Sequence, residues 1–302
     1  MYTGFFGLTS QPFSIAPNPD FMYLSARHAE ALAHLRYGLG EAGGFVLLTG
    51  EVGTGKTTVS RCLLQELTDK TEVAFILNPT LNELELLAAI CDQLKIRYKK
   101  SEASLKMLTD KITNRLMKNH QAGKNTILII DEAQHLQPAV LEQLRLLTNL
   151  ETNTKKLLQV ILIGQPELQQ LLQRQDLRQL AQRITARYHL MPLTEHEVQQ
   201  YISYRLQVAG CSRPVFTASA VKKLFHLSGG IPRLLNLICD RALLGGYSQQ
   251  KALIDAGLVN QAASEVLAIK PQAEKATWPV WVWPVLTLLA LAAGAGLSAF
   301  IW

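Results

Sequence analysis

A glycine-rich segment with one lysine and two threonines carries the residue types of a phosphate-binding loop. Residues 50–57, GEVGTGKT, have the spacing G-x-x-x-x-G-K-[ST] and lie between an apolar run and a helix-compatible segment. In such loops main-chain N–H groups converge on phosphate oxygens, and the following helix adds partial positive charge. We therefore expect Lys56 to reach the β- and γ-phosphates of a nucleoside triphosphate and Thr57 to bind Mg²⁺. The candidate nucleotide-binding residues are Gly50, Glu51, Val52, Gly53, Thr54, Gly55, Lys56, Thr57 and Thr58.

Two adjacent carboxylates follow an apolar run downstream of this loop. Asp131 and Glu132 end the segment TILIIDE, whose branched apolar residues predict a buried strand. We expect Asp131 to hold Mg²⁺ through water or Thr57, and Glu132 to polarise an attacking water as general base. Such a pair is common at helix starts and means little alone. Together with the phosphate loop, it predicts hydrolysis of the bound nucleotide.

The surrounding pattern predicts a parallel α/β sheet that positions both groups. Apolar, β-branched runs at residues 45–49, 73–77, 126–130, 158–163 and 186–190 indicate five strands. Most segments between them have helical periodicity, and this alternation is typical of a parallel sheet with flanking helices. After the last strand, residues 194–268 are helical in pattern, so a small all-helical domain should follow the sheet.

Length, charge and cysteine content set broad limits. A chain of 302 residues that is 48% apolar can form one or two domains with sizeable cores. The excess of 30 basic over 24 acidic residues is mild, and the basic run at 95–100 is interpreted as a solvated helix end rather than a nucleic-acid or lipid patch. Cys62, Cys91, Cys211 and Cys239 are predicted to be reduced core residues on helices. The histidines show no metal-ligand spacing.

The C-terminal stretch predicts a membrane anchor. No charged residue occurs from 278 to 302, and tryptophans lie at both ends of this stretch. From residue 281 onward, a helix would span about 33 Å, enough for a hydrocarbon core of about 30 Å. Lys270 and Lys275 precede the stretch, so the positive-inside bias predicts that the preceding residues face the cytoplasm. A buried terminal core helix is the alternative.

Several segments together resemble the AAA+ ATPases of the ExeA/GspA type. They are the phosphate loop, the DE pair, FFGLTSQPFSIAPNPDFMYLSARHAEALAHL, VILIGQPEL, LRQLAQRITARYHLMPL and GGIPRLLN, and the resemblance covers residues 1 to about 268. It implies a P-loop α/β domain with a helical lid, binding of ATP and Mg²⁺, and action as a ring or another homo-oligomer. It also implies service to a type II secretion apparatus or a related pilus, such as the mannose-sensitive haemagglutinin (MSHA) pilus.

The resemblance implies roles for side chains outside the two motifs. Gln165, after the fourth strand, matches a polar residue that senses the γ-phosphate, and Arg233 in GGIPR matches the lid arginine that reaches back to the phosphates. A ring ATPase also needs an arginine finger for the γ-phosphate of a neighbouring subunit. Arg183, just before the last strand, is the first candidate and Arg178 the second. Arg187 lies within the strand and is expected to be structural.

The chain is accordingly divided into five parts. They are an N-terminal segment closing on the nucleotide site (1–43), an AAA+ α/β domain (44–192), a helical lid (193–268), a linker (269–277) and a transmembrane anchor (278–302). Aromatic residues at 21–23 resemble the part of such a segment that closes over adenine. A hydrophobic staple for the core explains these aromatics equally well.

Three functions remain open at this point. The favoured one is a single-pass inner-membrane ATPase, with its ATPase domain in the cytoplasm and its anchor in lipid, that assists inner-membrane pilus or secretion components. A nucleic-acid ATPase for transposition or replication shares the same core, but the anchor and the mild charge count against it. A nucleotide-gated scaffold with little turnover is the third, and the intact carboxylate pair argues for hydrolysis instead.

Overall fold

A parallel sheet of five strands lies at the centre of the computed structural model, which describes residues 1–16, 18–39, 44–77, 79–152 and 156–267. The strands are β1 (Phe45–Gly50), β2 (Thr71–Ile76), β3 (Asn125–Ile130), β4 (Gln159–Gly164) and β5 (Ile184–Leu190). Their order across the sheet is β2-β3-β4-β1-β5. The five strands and their parallel arrangement confirm the prediction from the apolar runs.

Helices cover both faces of this sheet and form a separate bundle after it. Those before the bundle are α1 (Tyr2–Phe6), α2 (Ala26–Gly38), α3 (Lys56–Glu66), α4 (Glu83–Gln93), α5 (Leu105–Gln121), α6 (Pro138–Leu147), α7 (Pro166–Leu172) and α8 (Arg178–Ala181). The bundle, called the lid below, contains α9 (Glu195–Val208), α10 (Ala218–Ser228), α11 (Pro232–Ser248) and α12 (Ala256–Val266).

Alternate residues of the strands enter two different apolar clusters. In β1, Leu47 packs with α4, α5 and α6 on one face, whereas Val46 and Leu48 pack with α2 and α3 on the other. Side chains alternate between the faces of a strand, so a sheet that is covered on both faces needs apolar residues throughout. This explains the continuous apolar run before the phosphate loop, and it places the carboxyl end of β1 at a buried, rigid position.

The apolar side chains described among the first 21 residues pack against the lid rather than against the sheet. Phe6, Phe13 and Phe21 are buried in the same apolar cluster as the helices of the lid. The Tyr2 hydroxyl donates to the carboxylate of Asp240 on α11. The N-terminal segment therefore reaches from the lid to α2, which lies on the sheet, and it passes over the carboxyl ends of the strands.

Two sequence predictions about the fold concern the cysteines and the C-terminal stretch. All four cysteines are buried and free, but Cys211 follows α9 instead of lying in a helix, because the chain turns at Gly210 with a φ of 88°. Among the residues described, no helix combines the length and apolar character needed to cross a bilayer. The predicted linker at 269–277 and the predicted anchor at 278–302 lie outside the described residues.

Candidate functional site

The phosphate loop connects the buried strand β1 to α3. Gly55 precedes the helix with a φ of 104°, a conformation that glycine adopts without the steric cost of a side chain. Lys56, the first helical residue, is only 7% exposed, and its ammonium donates to the carbonyl oxygens of Gly50 (2.8 Å) and Glu51 (2.9 Å). Burial lowers the pKa of Lys56, although nearby carboxylates oppose the shift. The loop thus holds its cation against main-chain oxygens that phosphate oxygens can replace.

A histidine from the N-terminal segment supports the phosphate loop. His28 on α2 is buried, and its Nε2 lies 3.1 Å from the carbonyl oxygen of Thr54, while its Nδ1 lies 2.8 Å from the hydroxyl of Ser25. Burial lowers the pKa of His28 and outweighs the opposing effects of the Thr54 carbonyl and the Glu197 charge. The ring is therefore neutral at neutral pH, with Nε2–H donating to the loop. Gly55 leaves the necessary room, because a Cβ there would lie 2.6 Å from Nε2.

The pair Thr57 and Asp131 has the chemistry of a Mg²⁺ site. Asp131 follows β3 directly, is 4% exposed, and accepts a hydrogen bond of 2.9 Å from the Thr57 hydroxyl. Burial raises the pKa of Asp131, and the hydrogen bonds from Thr57 and the next main-chain N–H offset this only in part. A bound cation would counter this desolvation, and carboxylate and hydroxyl oxygens are ligands that suit Mg²⁺. The two side chains therefore fit the predicted metal site.

Glu132 is held by two glutamines. Its backbone has a φ of 54°, and its carboxylate accepts hydrogen bonds from the side-chain amides of Gln134 (2.6 Å) and Gln165 (3.3 Å). Gln134 also accepts a hydrogen bond of 3.1 Å from the main-chain N–H of Gln165. Partial burial raises the pKa of Glu132, but these bonds and the Lys56 charge together outweigh burial, so the pKa lies below its ordinary value. The group is therefore an ionised carboxylate, as a general base requires.

The lid contacts the phosphate loop at the start of α11. The main-chain N–H of Arg233 donates to the carbonyl oxygen of Gly53 at 3.3 Å, and a Cβ at Gly53 would lie 2.6 Å from Cβ of Arg233. Pro232 at the first helical position fixes the direction in which α11 begins. The side chain of Arg233 is exposed and lines the cavity over the loop, which is the place that the lid arginine was predicted to occupy.

The three arginines considered as fingers differ in their surroundings. Arg183 is half-buried immediately before β5, and its guanidinium donates to the Arg145 carbonyl (3.3 Å) and the Thr148 hydroxyl (3.4 Å). Arg178 is exposed at the first residue of α8. Arg187 lies in β5, is exposed, and donates to the Ala181 carbonyl at 2.8 Å. The ranking of Arg183 before Arg178 stays a prediction.

A cavity of about 440 Å³ joins the loop, the N-terminal segment and the lid. Its size is in the range of about 300–1,000 Å³ that is typical of small-molecule sites. The lining includes Lys56, Thr57, Glu132, Gln165 and Arg233 from the site, Ser14, Ile15, Phe21, Met22 and Tyr23 from the N-terminal segment, and Tyr201, Arg205 and Asn236 from the lid. The aromatic side chain at position 21 both lines the cavity and packs into the apolar cluster of the lid.

Sequence reasoning did not assign a role to two residues that the structure places in the site. Gln134 stands two positions after Glu132, and this proximity to a proposed base was a usable signal. His28 gives no such signal, since its partner Thr54 is 26 positions away and a lone histidine on an amphipathic helix is ordinarily a core residue. Both side chains act on their partners through hydrogen bonds rather than by direct chemistry.

The fold and this geometry are similar to those of AAA-type P-loop domains. A family model described as an AAA domain matches residues 40–172, which contain the phosphate loop, the carboxylate pair and Gln165. This match supports the prediction of an ATP-hydrolysing enzyme, while the roles of Lys56, Asp131 and Glu132 stay predictions.

One curated relative is similar to the chain over its whole length. It is the General secretion pathway protein A of Aeromonas hydrophila, 59% identical over 302 residues, which are 100% of this chain and 53% of the relative. The chain thus spans about half the length of the curated relative that it matches. This likeness supports the ExeA/GspA type that the sequence motifs indicated.

Solved structures share the fold at low sequence identity. Cdc6p from Pyrobaculum aerophilum has a TM-score of 0.67 and 18% identity, over 84% of this chain and 70% of that chain. The Aeropyrum pernix ORC1 protein in complex with DNA has a TM-score of 0.63 and 17% identity, over 85% and 69%. The RuvB Holliday junction branch migration motor of Thermotoga maritima has a TM-score of 0.53 and 21% identity, over 85% and 74%. At these identities the likeness concerns the fold alone.

Proposed function

We propose that this chain is an ATPase of the ExeA/GspA type that supports assembly of a type II secretion apparatus or a type IV-like pilus. The single observation that carries the proposal is the 59% identity to the General secretion pathway protein A across all 302 residues. A complete set of hydrolytic side chains accompanies it. Among proteins of this type, the sequence most resembles MshM of MSHA pilus biogenesis, so an MSHA-like pilus is the more specific proposal.

The proposed roles follow the geometry of the site. Lys56 neutralises the β- and γ-phosphates of ATP, and Thr57 and Asp131 hold Mg²⁺, which supplies positive charge to the phosphates when bound. Glu132, ionised and held by its two glutamines, accepts a proton from the attacking water. Gln165 contacts both the base and the cavity, so it is placed to respond to the γ-phosphate.

Arg233 completes the phosphate end of the cavity from the lid. Its main chain docks on Gly53, and its exposed guanidinium is available to an anionic ligand. Substitution by alanine keeps both the N–H and Cβ, so Arg233→Ala is expected to lower turnover and leave the docking of the lid intact. If Arg233→Ala clearly lowers the unfolding temperature as well as turnover, Arg233 has a structural role instead.

The active form is proposed to be a homo-oligomer in which one subunit supplies a finger to the next. Arg183 is the first candidate because it stands directly before β5, and Arg178 the second because it is exposed on α8. Arg183→Ala alone should be inactive, and mixing it with Lys56→Ala protein should restore some activity. The mixture contains interfaces that pair an intact loop with an intact finger. Inactivity without rescue would favour a structural role for Arg183 or a finger at Arg178.

We further propose that residues 278–302 anchor the protein in the bacterial inner membrane, with the ATPase domain in the cytoplasm. The support is the uncharged apolar stretch with lysines on its N-terminal side. Partition of the chain with membranes, and its release on deletion of residues 270–302, would test the anchor. Recovery of the undeleted chain in the soluble fraction would contradict it.

One experiment separates the candidate functions. Full-length Glu132→Gln protein should bind ATP without turning it over, and capture of membrane partners in that state should recover secretion or pilus components. Lys56→Ala, which should bind ATP weakly, is the matched control. Recovery of nucleic acid, with retention of the protein in a filter-binding assay, would favour the nucleic-acid ATPase. ATP binding by the wild type with no turnover would favour the nucleotide-gated scaffold.

A further inference from the structure

Arg205 of α9 is a buried cation without a carboxylate partner in the part of the chain that the structure describes. It is 7% exposed, and its guanidinium donates to the carbonyl oxygens of Pro12 and Ser14 (3.3 Å) and to the hydroxyl of Tyr201 (2.8 Å). The guanidinium carbon also lies 5.2 Å from the ring centre of Phe21 and 5.5 Å from that of Tyr201. All of its acceptors are therefore neutral.

Such an arrangement is a poor way to stabilise a lid. A buried charge is desolvated at a cost that neutral acceptors and aromatic faces offset only in part, and apolar residues of similar volume often serve stability as well or better. A guanidinium does have one geometric advantage, since its fixed fork can hold two carbonyl groups at once. In this molecule those two carbonyls belong to the N-terminal segment, whereas the arginine belongs to the lid.

The segment that Arg205 holds is one wall of the ATP cavity. Ser14 and Phe21 both contact the arginine and line the cavity, and Tyr201 and Asn236 line it from the lid side. Tyr201 donates to Asn236 at 2.7 Å, which connects the arginine to α11. The phosphate groups belong at the opposite part of the lining, where the loop lies. The same lining contains the aromatic rings of Phe21 and Tyr201 and the apolar side chain of Ile15, and aromatic and apolar surfaces suit a planar heteroaromatic ring.

We propose that Arg205 is a positioning residue for the nucleobase: by fastening Pro12, Ser14 and Phe21 to the lid, it shapes the base end of the cavity and makes binding of a purine base depend on the closed lid. This inference rests on the proposed function, because it takes a purine nucleoside triphosphate as the ligand. The triphosphate end of the ligand is bound by the phosphate loop and by Arg233, whose main chain docks on Gly53 without contacting Arg205, so we expect it to depend little on Arg205.

The test compares a ligand with a base to one without. In the Glu132→Gln background, which prevents turnover, Arg205→Met should weaken ATP binding about tenfold or more, because the wall of the base end is no longer held in place before the ligand binds. Binding of inorganic tripolyphosphate should change by less than about twofold. Both affinities are measured by titration calorimetry with Mg²⁺ present on the 302-residue chain. The matched control is Arg213→Met, which removes another lid arginine that donates to main-chain carbonyls, those of Ala252 and Phe6.

Each outcome bears on a different claim. If the parent protein binds neither ligand, the proposed function fails. If Arg205→Met loses both affinities equally, or keeps ATP affinity, the role of Arg205 in base binding is wrong and the proposed function stands. If Arg205→Met does not fold, Tyr201→Phe provides the second variant. Tyr201→Phe removes a neutral acceptor of Arg205 and should weaken the binding of ATP more than the binding of tripolyphosphate. An equal effect on both ligands would also overturn the inference.

Discussion

Two adjacent glycines between α10 and α11 offer a matched test of how the start of α11 is held against Leu193, at the point where the chain leaves the sheet for the lid. Gly229 and Gly230 both have positive φ values, 59° and 75°. A Cβ at Gly229 would meet no atom within 4 Å, whereas a Cβ at Gly230 would overlap the carbonyl oxygen of Leu193 and lie 3.0 Å from its carbonyl carbon. Gly230 also accepts a hydrogen bond of 2.9 Å from the Leu193 N–H. The same substitution by alanine thus meets open space at one position and main chain at the next.

The expected magnitudes follow from this difference. An alanine in the left-handed region costs about 1–2 kcal/mol of stability, which is the whole expectation for Gly229→Ala. Gly230→Ala adds the cost of overpacking, about 1–3 kcal/mol, and the obstructing atoms are main chain and cannot rotate away. We therefore expect losses in the free energy of unfolding of about 1–2 kcal/mol for Gly229→Ala and of about 2–5 kcal/mol for Gly230→Ala.

Both stability and nucleotide binding report the outcome. Thermal unfolding is best followed by far-ultraviolet circular dichroism, because all four tryptophans lie between residues 278 and 302 and would not report on the lid. Each kcal/mol of lost stability should lower the midpoint of unfolding by about 2–4 °C. Gly230 stands three positions before Arg233, so its displacement should also move α11 from Gly53 and weaken ATP binding. Gly229→Ala should leave ATP affinity unchanged. Equal effects of the two variants on stability and binding would refute the reasoning.

Three further predictions concern groups around the site and sheet. His28→Leu should lower ATP affinity, measured by calorimetry, because it removes the donor that holds the phosphate-loop carbonyl; unchanged affinity would contradict this. Gln134→Leu should raise the pKa of Glu132 and move the acid limb of the pH–rate profile to higher pH, and an unmoved limb would contradict it. The pKa of Glu72 is lowered chiefly by its hydrogen bond from Arg115, so the pair stabilises the fold above the ordinary pKa of a glutamate and this contribution disappears on acidification. Arg115→Met should therefore be less stable than wild type at neutral pH, with a difference that shrinks in acid during denaturant titrations; a pH-independent difference would contradict the linkage.

The parts of the fold that the sequence predicted are those with local signals. The phosphate loop has a fixed spacing, and the strands are continuous apolar runs because both faces of the sheet are covered. The start of α2 (Ala26–Gly38) also has a local signal, since the Ser25 side chain caps its first turn. Strand order was not predictable in this way, since β1 lies between β4 and β5 through contacts that are distant along the chain.

The parts of the site that escaped prediction depend on long-range contacts. Arg205 and its acceptor Ser14 are 191 positions apart, and nothing in the helical pattern of α9 distinguishes this arginine from a surface charge. The positive φ of Glu132 is likewise invisible in the sequence, although it decides where the carboxylate points. The motifs indicate the groups that we propose to perform chemistry, whereas the roles of His28 and Arg205 emerged only from the packing of the N-terminal segment and lid.

At the contact between lid and loop, Arg233 contributes two separate features, a main-chain contact and an exposed positive charge. The main-chain N–H and Cβ of Arg233 meet Gly53, and any residue other than proline or glycine could provide both atoms. Docking of the lid therefore does not explain why position 233 is an arginine. The guanidinium is exposed in the cavity, so it adds positive charge to a loop whose own cation, Lys56, is already held by carbonyl oxygens. Because the same residue docks the lid and presents this charge, we expect a ligand that attracts the guanidinium to act on the docking contact as well, so that the position of the lid responds to the phosphates present.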